Sequence, residues 1–136
     1  MHVALPKLGL VGDFQMNNAA CVLRAVQYLN EKAPVLQANI HAAFKAVNLE
    51  GRFQQIHENP CIIVDVAHNP HAAKSLAQNL KLSPCTGKTL AVFGMLADKD
   101  IAGVIVAIQN EIDAWYLADI HTARGAKATD LQHNLL

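Results

Sequence analysis

Three polar side chains close the apolar run Cys61-Ile-Ile-Val-Asp-Val-Ala-His-Asn-Pro70, and they are the groups best placed to do chemistry. Asp65 can accept hydroxyl, amine or guanidinium protons, His68 can exchange a proton near neutral pH, and Asn69 can donate and accept at once. Ile62, Ile63, Val64 and Val66, interrupted by Asp65, have the composition of a strand buried on both faces of a parallel sheet. Asn69 followed by Pro70 supplies an N-cap and a first-turn proline, so the strand is expected to pass directly into a helix. That junction, outside the carboxyl end of a strand, is where α/β proteins hold ligands. Local roles stay open beside these. Asp65 can pair or cap within its own turn, His68 can be a hydrogen-bonded half-buried histidine, and Asn69 can serve as a helix cap alone.

The elements that would position these groups follow from periodicity. Met1 to Gln15 has no period, because Pro6, Gly9 and Gly12 interrupt it, although Leu5, Leu8, Leu10 and Val11 are apolar enough to be covered. A helix over Met16–Leu29, opened by an Asn cap, is apolar on most faces, and a second helix runs from about Leu36 to Val47. Such a pair has little to bury against on its own. Gly51 stops the second helix, and the composition shifts from Ala-rich helices to alternating strands and helices. A domain boundary is therefore placed near Leu49, dividing the chain into residues 1–48 and 49–136.

Beyond that boundary the spacing predicts strands around Phe53–His57 and Ile62–Val66, with a turn at Glu58 to Pro60 between them. A helix over Pro70–Lys81 follows, then a loop through Ser83-Pro84 and Thr86-Gly87 and a buried strand over Thr89–Gly94. Asp98 is a candidate cap for the next helix, whose Ile101, Val104, Ile105, Ile108 and Ile112 share one face. Ala114–Leu117 is a further strand, and another helix begins at Ala128. The fold class expected is α/β, with a Rossmann-like, mostly parallel sheet, flanking helices and right-handed crossovers. The pattern stops part-way at Leu136, as in a chain cut short.

Composition narrows the class. The 136 residues suffice for one domain with a core, and no apolar span reaches membrane length. Eleven basic residues balance eleven acidic ones, so no net field draws the chain to nucleic acid or to an anionic membrane. Cys21, Cys61 and Cys85 are odd in number and have no C-x-x-C spacing. Two of them lie in apolar runs as small hydrophobes would, Cys85 reads as an exposed loop thiol, and the absence of a secretory signal agrees with a reducing, cytoplasmic setting. His68 and His71 are close in sequence, but no third ligand accompanies them, so no metal site is assigned.

Taken in order, the motifs carry a resemblance. Gly51-Arg-Phe-Gln54, Asp65-Val-Ala-His-Asn-Pro-His71 and Phe93-Gly-Met-Leu-Ala-Asp-Lys-Asp100 together resemble the carboxy-terminal domain of the bifunctional dihydrofolate synthase/folylpolyglutamate synthases, members of the Mur ligases. Asn17-Asn-Ala-Ala20 resembles the end of that family's central ATPase domain, and Ala123-Arg-Gly-Ala126 resembles the loop after a later strand. The resemblance implies that residues 1–48 are a remnant of the central domain, and that the parent joins L-glutamate to dihydropteroate and to folylpolyglutamates using ATP and Mg2+ through an acyl phosphate. It further implies that Asn18, Arg52 and Asp65 contact ATP, with His68 beside them as the catalytic group, and that Asp98 and Lys99 lie near the glutamate or the interdomain cleft. An amide can read an adenine edge, a guanidinium can neutralise phosphate charge, and a histidine can donate to a phosphoryl oxygen.

The departures from that pattern are specific. Glu50 stands where the family commonly has proline, and no G-x-x-x-x-G-K-[ST] occurs in these residues, so the triphosphate cradle and the metal ligands are expected outside them. The chain alone is therefore expected to be inactive. Asn18 is equally explained as a helix cap, Arg52 as a surface ion-pair partner, and Asp98-Lys99-Asp100 as a solvated helix start. Two rivals remain open: a stand-alone module that binds a nucleotide or amino acid without catalysis, and a piece of a peptidoglycan ligase. The parent is expected to be a monomer, whereas exposed faces of the first two helices favour self-association of the piece.

Overall fold

The computed structural model describes Pro6 and residues 8–83 and 85–135. Leu5, Pro84 and Leu136, on which parts of the sequence reading fell, lie outside them. The described residues form two compact units, one ending at Asp65 and the other beginning at Val66. The division near Leu49 is one of composition, which compactness does not address.

In the first unit, helix α1 spans Phe14–Leu29 and α2 spans Gln37–Ala46. The helix α1 opens earlier than expected and has no Asn cap. Asp13 precedes it with helical φ and ψ and no side-chain cap, because the Gln15 and Met16 amides already bond back to the Gly12 and Asp13 carbonyls at 3.0 and 3.1 Å. Asn17 and Asn18 thus fall inside the helix. Only Gln15 and Ala19 of α1 are buried, and no residue of α2 is, so this apolar pair remains largely uncovered.

Strands β1 (Gln54–His57) and β2 (Ile62–Val64) pair antiparallel, with Gln54 opposite Val64, Gln55 opposite Ile63 and a register irregularity before His57. This corrects the expectation of a doubly buried parallel strand: β2 is short, and Ile62 and Val64 are exposed. The physical reason is the connection. Only Glu58 to Cys61 separate the two strands, and a parallel return needs a crossover of a dozen or more residues.

The second unit has the expected β-α-β form. Strand β3 (Leu90–Phe93) pairs in parallel with β4 (Ala114–Leu117) across α4 (Ile101–Ile108), which is extended by a short 3₁₀ turn. Helix α3 (Pro70–Leu82) packs on α4, and α5 (Ala128–His133) follows β4. Val104, Ile108, Ala73, Ala77, Met95, Ala126 and Leu131 form the core, and Phe93 meets Trp115 edge to face at 5.4 Å. The expectation of a buried β3 holds for one face only. Phe93 turns to the core, while Val92 on β3 and Tyr116 on β4 are exposed.

The helix caps are only partly those expected. Asn69 Oδ1 accepts the Ala72 N–H at 2.9 Å with Pro70 in the first turn, as the sequence indicates. At α4, however, the cap is Asp100, whose Oδ1 accepts the Gly103 N–H at 2.9 Å, and not Asp98. All three cysteines are exposed, as expected of Cys85, so Cys21 and Cys61 do not pack as the small hydrophobes their apolar runs suggested. No described helix is long and apolar enough to cross a membrane.

Candidate functional site

In the first unit, Arg52 is displayed by a loop of unusual backbone. Gly51 has φ 66° and Phe53 has φ 47°, a region that a side chain with a Cβ rarely adopts. Two side chains close the loop: Gln54 Oε1 accepts the Gly51 N–H at 3.0 Å, and Asp65 Oδ2 accepts the Phe53 N–H at 2.8 Å. Phe53 and Gly51 are buried, whereas Arg52 between them is exposed. Asp65 therefore reaches back from the end of β2 and joins the motif Gly51-Arg-Phe-Gln54 to its own. Asn18 lies elsewhere in this unit. It lines an apolar cleft of about 390 Å³ with Leu8, Val22, Phe44 and Val47, and its amide donates to Gln15 at 3.0 Å. Neither Arg52 nor Asp65 lines that cleft.

In the second unit, His68 is exposed and stands before the capped turn of α3. Its Nδ1 lies 3.0 Å from the Val66 carbonyl oxygen, which can only accept, so Nδ1 carries the proton. The neutral ring then presents Nε2 as an acceptor. Donation to a phosphoryl oxygen, the chemistry first considered for this residue, requires the imidazolium form.

Asp98 and Lys99 lie in the β3–α4 loop, and this loop is joined to the one after β4. Asp98 pairs with Arg124, the Ala97 N–H donates to the Arg124 carbonyl at 2.8 Å, the Ala126 N–H donates to the Met95 carbonyl at 2.9 Å, and Leu96 bridges Gly125. The Arg124 hydrogen bond lowers the Asp98 carboxyl from its ordinary value against a smaller effect of desolvation, and the charges of Arg124 and Lys99 add to the lowering. Behind this rim, Asp119 Oδ1 accepts the Ala128 N–H at 2.8 Å, and that bond, helped by the nearby Lys127 charge, lowers the Asp119 carboxyl too.

Phe53 and Gln54 stood in the motif Gly51-Arg-Phe-Gln54 without a role of their own, and neither Gln15 nor Arg124 as the partner of Asp98 was legible in the sequence. A glycine two residues before an aromatic gives no sign of positive φ at that aromatic. An ion pair between residues 26 apart leaves no local mark either.

A parallel β-α-β unit whose carboxyl-end loops carry paired charges is the architecture of a ligand-handling α/β domain. Residues 51–135 match the family model described as Mur ligase, glutamate ligase domain. The chain belongs to the Mur ligases. It is 42% identical over 118 residues to the dihydrofolate synthase/folylpolyglutamate synthase of Escherichia coli K12, covering 87% of this chain and 28% of that one. The bifunctional folylpolyglutamate synthase/dihydrofolate synthase of Yersinia pestis complexed with AMPPNP and Mn ion superposes with a TM-score of 0.86 at 38% identity, covering 99% of this chain and 31% of that one. A crystal structure of such a bifunctional enzyme with Mn, AMPPNP and L-glutamate bound gives a TM-score of 0.85 at 39% identity, over 98% and 31% of the two chains. This chain thus spans less than a third of the length of these relatives.

Proposed function

We propose that this chain is part of an ATP-dependent ligase that adds L-glutamate to dihydropteroate and to folylpolyglutamates, and that it works in the cytoplasm with neither nucleic acid nor membrane as partner. The observation that carries this reading is the likeness to the bifunctional E. coli enzyme, which runs through both units. In this reading residues 1–48 are a remnant of a central ATP-binding domain, and residues 49–136 are the carboxy-terminal domain.

The residues present suit parts of a nucleotide. The apolar cleft beside Asn18, with amides from Asn18 and Gln15 on its wall, has the chemistry to hold a flat heteroaromatic base. Arg52 offers a planar fork to phosphate oxygens, and Asp65 holds the backbone of its loop. ATP supplies the phosphoryl group that activates a carboxylate. His68, with Nδ1 donating to Val66, offers Nε2 to take a proton, which suits it to the incoming amine. Asp98 is engaged by Arg124, so a role for it and Lys99 near glutamate is one of shaping the rim. Among the described residues no group of three or more His, Cys, Asp or Glu side chains gathers to hold a metal ion. No step is therefore assigned to Mg2+ held by this chain.

Steady-state kinetics of the polypeptide that carries this chain at its natural length test the assignments. Arg52→Ala and Asp65→Ala are each expected to lower kcat/KM for ATP by at least about tenfold while the thermal midpoint moves little. Unchanged kinetics in both would remove them from the nucleotide site. The 136 residues alone are expected to form no folylglutamate, and any product formed by the purified piece overturns that expectation.

A further inference from the structure

We infer that Gln54 is a positioning residue for Arg52, an inference that rests on the reading of Arg52 as a nucleotide contact. The amides of the residues before and after Arg52 are tied by different side chains, while the Arg52 N–H itself donates to the Leu49 carbonyl at 3.3 Å. Gln54 Oε1 holds the Gly51 N–H from one side, and Asp65 Oδ2 holds the Phe53 N–H from the other. Both tied residues have positive φ, 66° at Gly51 and 47° at Phe53, and the second is unfavourable for any residue with a Cβ. Such a conformation persists only where its surroundings over-determine it. The buried Phe53 ring, the two side-chain hydrogen bonds and the Arg52 N–H bond to the Leu49 carbonyl supply that constraint around one exposed arginine.

Without the Gln54 acceptor the buried Gly51 N–H loses its partner, and the loop gains by turning that group toward water. Arg52 then samples many directions, and an oriented contact becomes a diffuse one. The Asp65 bond to Phe53 does not replace the lost one, since it lies beyond Arg52, and the Arg52 N–H meets the Leu49 carbonyl only at a long 3.3 Å.

A double-mutant cycle reads the effect. In the polypeptide of natural length, kcat/KM for ATP is measured for wild type, Gln54→Met, Arg52→Ala and the double variant. Met keeps the side-chain volume and removes the acceptor. Gln54→Met is expected to lower kcat/KM about tenfold on its own and less than about twofold in the Arg52→Ala background. Equal losses in the two backgrounds would show a merely structural role and overturn the inference. An Arg52→Ala variant with full kcat/KM instead removes the nucleotide role of Arg52, and the positioning role falls with it. Amide exchange supplies a second readout: Gln54→Met is expected to speed exchange at Gly51 by about tenfold or more with the α3 and α4 amides unchanged. Unaltered exchange at Gly51 also overturns the inference. Should Gln54→Met fold poorly, Gln54→Asn runs the same cycle, since its amide stops one methylene short of Gly51.

Discussion

Helices α1 and α4 are both apolar, yet α1 leaves Phe14, Met16, Val22 and Leu29 exposed while α4 buries Val104, Ile105 and Ile108. The difference lies in what the neighbouring sequence provides. Helix α4 is the crossover between two parallel strands and packs on α3, so its apolar face is removed from water within its own unit. Helix α1 has α2, the segment before it and an open cleft. Apolar periodicity makes a core only where partners arrive within reach. The first unit therefore takes its definition from hydrogen bonds, such as those around Arg52, and the second takes its definition from packing.

That contrast can be broken at several points. The largest effect is expected at Leu131, which is fully buried: Leu131→Ala should cost about 2–5 kcal/mol, read by urea unfolding through the fluorescence of Trp115, the single tryptophan. Leu29→Ala, at a half-exposed site on α1, should stay within about 0.5 kcal/mol. A comparable loss at Leu29 would mean that the first unit has a core after all. Next in size, Asp100→Ala should cost about 1 kcal/mol by uncapping α4, while Asp13→Ala, with no cap bond to lose, should leave stability unchanged.

The smallest effect concerns pH. The folded carboxyl of Asp98 is lowered below its ordinary 3.8, so the stabilisation it brings is complete above that value and is lost as pH falls through the folded midpoint. A carboxyl-detected NMR titration should place the wild-type midpoint below 3.8 and return it toward 3.8 in Arg124→Gln. No shift between the two would detach the rim from the Asp98–Arg124 pair.

The sequence was legible wherever a rule acts over a few residues. Asn69 and Pro70 mark the start of α3, and the spacing of Val104, Ile105 and Ile108 marks the buried face of α4. The β-α-β order of the second unit follows from the same local patterns. The antiparallel pairing of β2 was hidden because an apolar run says nothing of direction. The short connection Glu58 to Cys61 was the available signal. Asp98 and Asp100 are both cap-type residues on paper; α4 begins at Ile101, so Asp100 caps it, while Asp98 pairs with a residue 26 positions away. Of the candidate site, the Arg52 and Asp65 motifs were legible separately, while their union through the Phe53 amide depends on a backbone conformation that no residue type announces.

The stitched loops behind β3 and β4 have an evolutionary consequence. A Cβ at Gly125 would run into the Ile120 carbonyl oxygen, and the Gly125 amide itself bonds to the Thr122 carbonyl at 3.0 Å. Position 125 is thus closed to every other amino acid unless the turn is rebuilt. Because Leu96 bridges that same residue, drift in one loop is constrained by the other. New specificities along this edge have to arise from side chains that point away from the seam, and the two loops must diversify as one inherited piece.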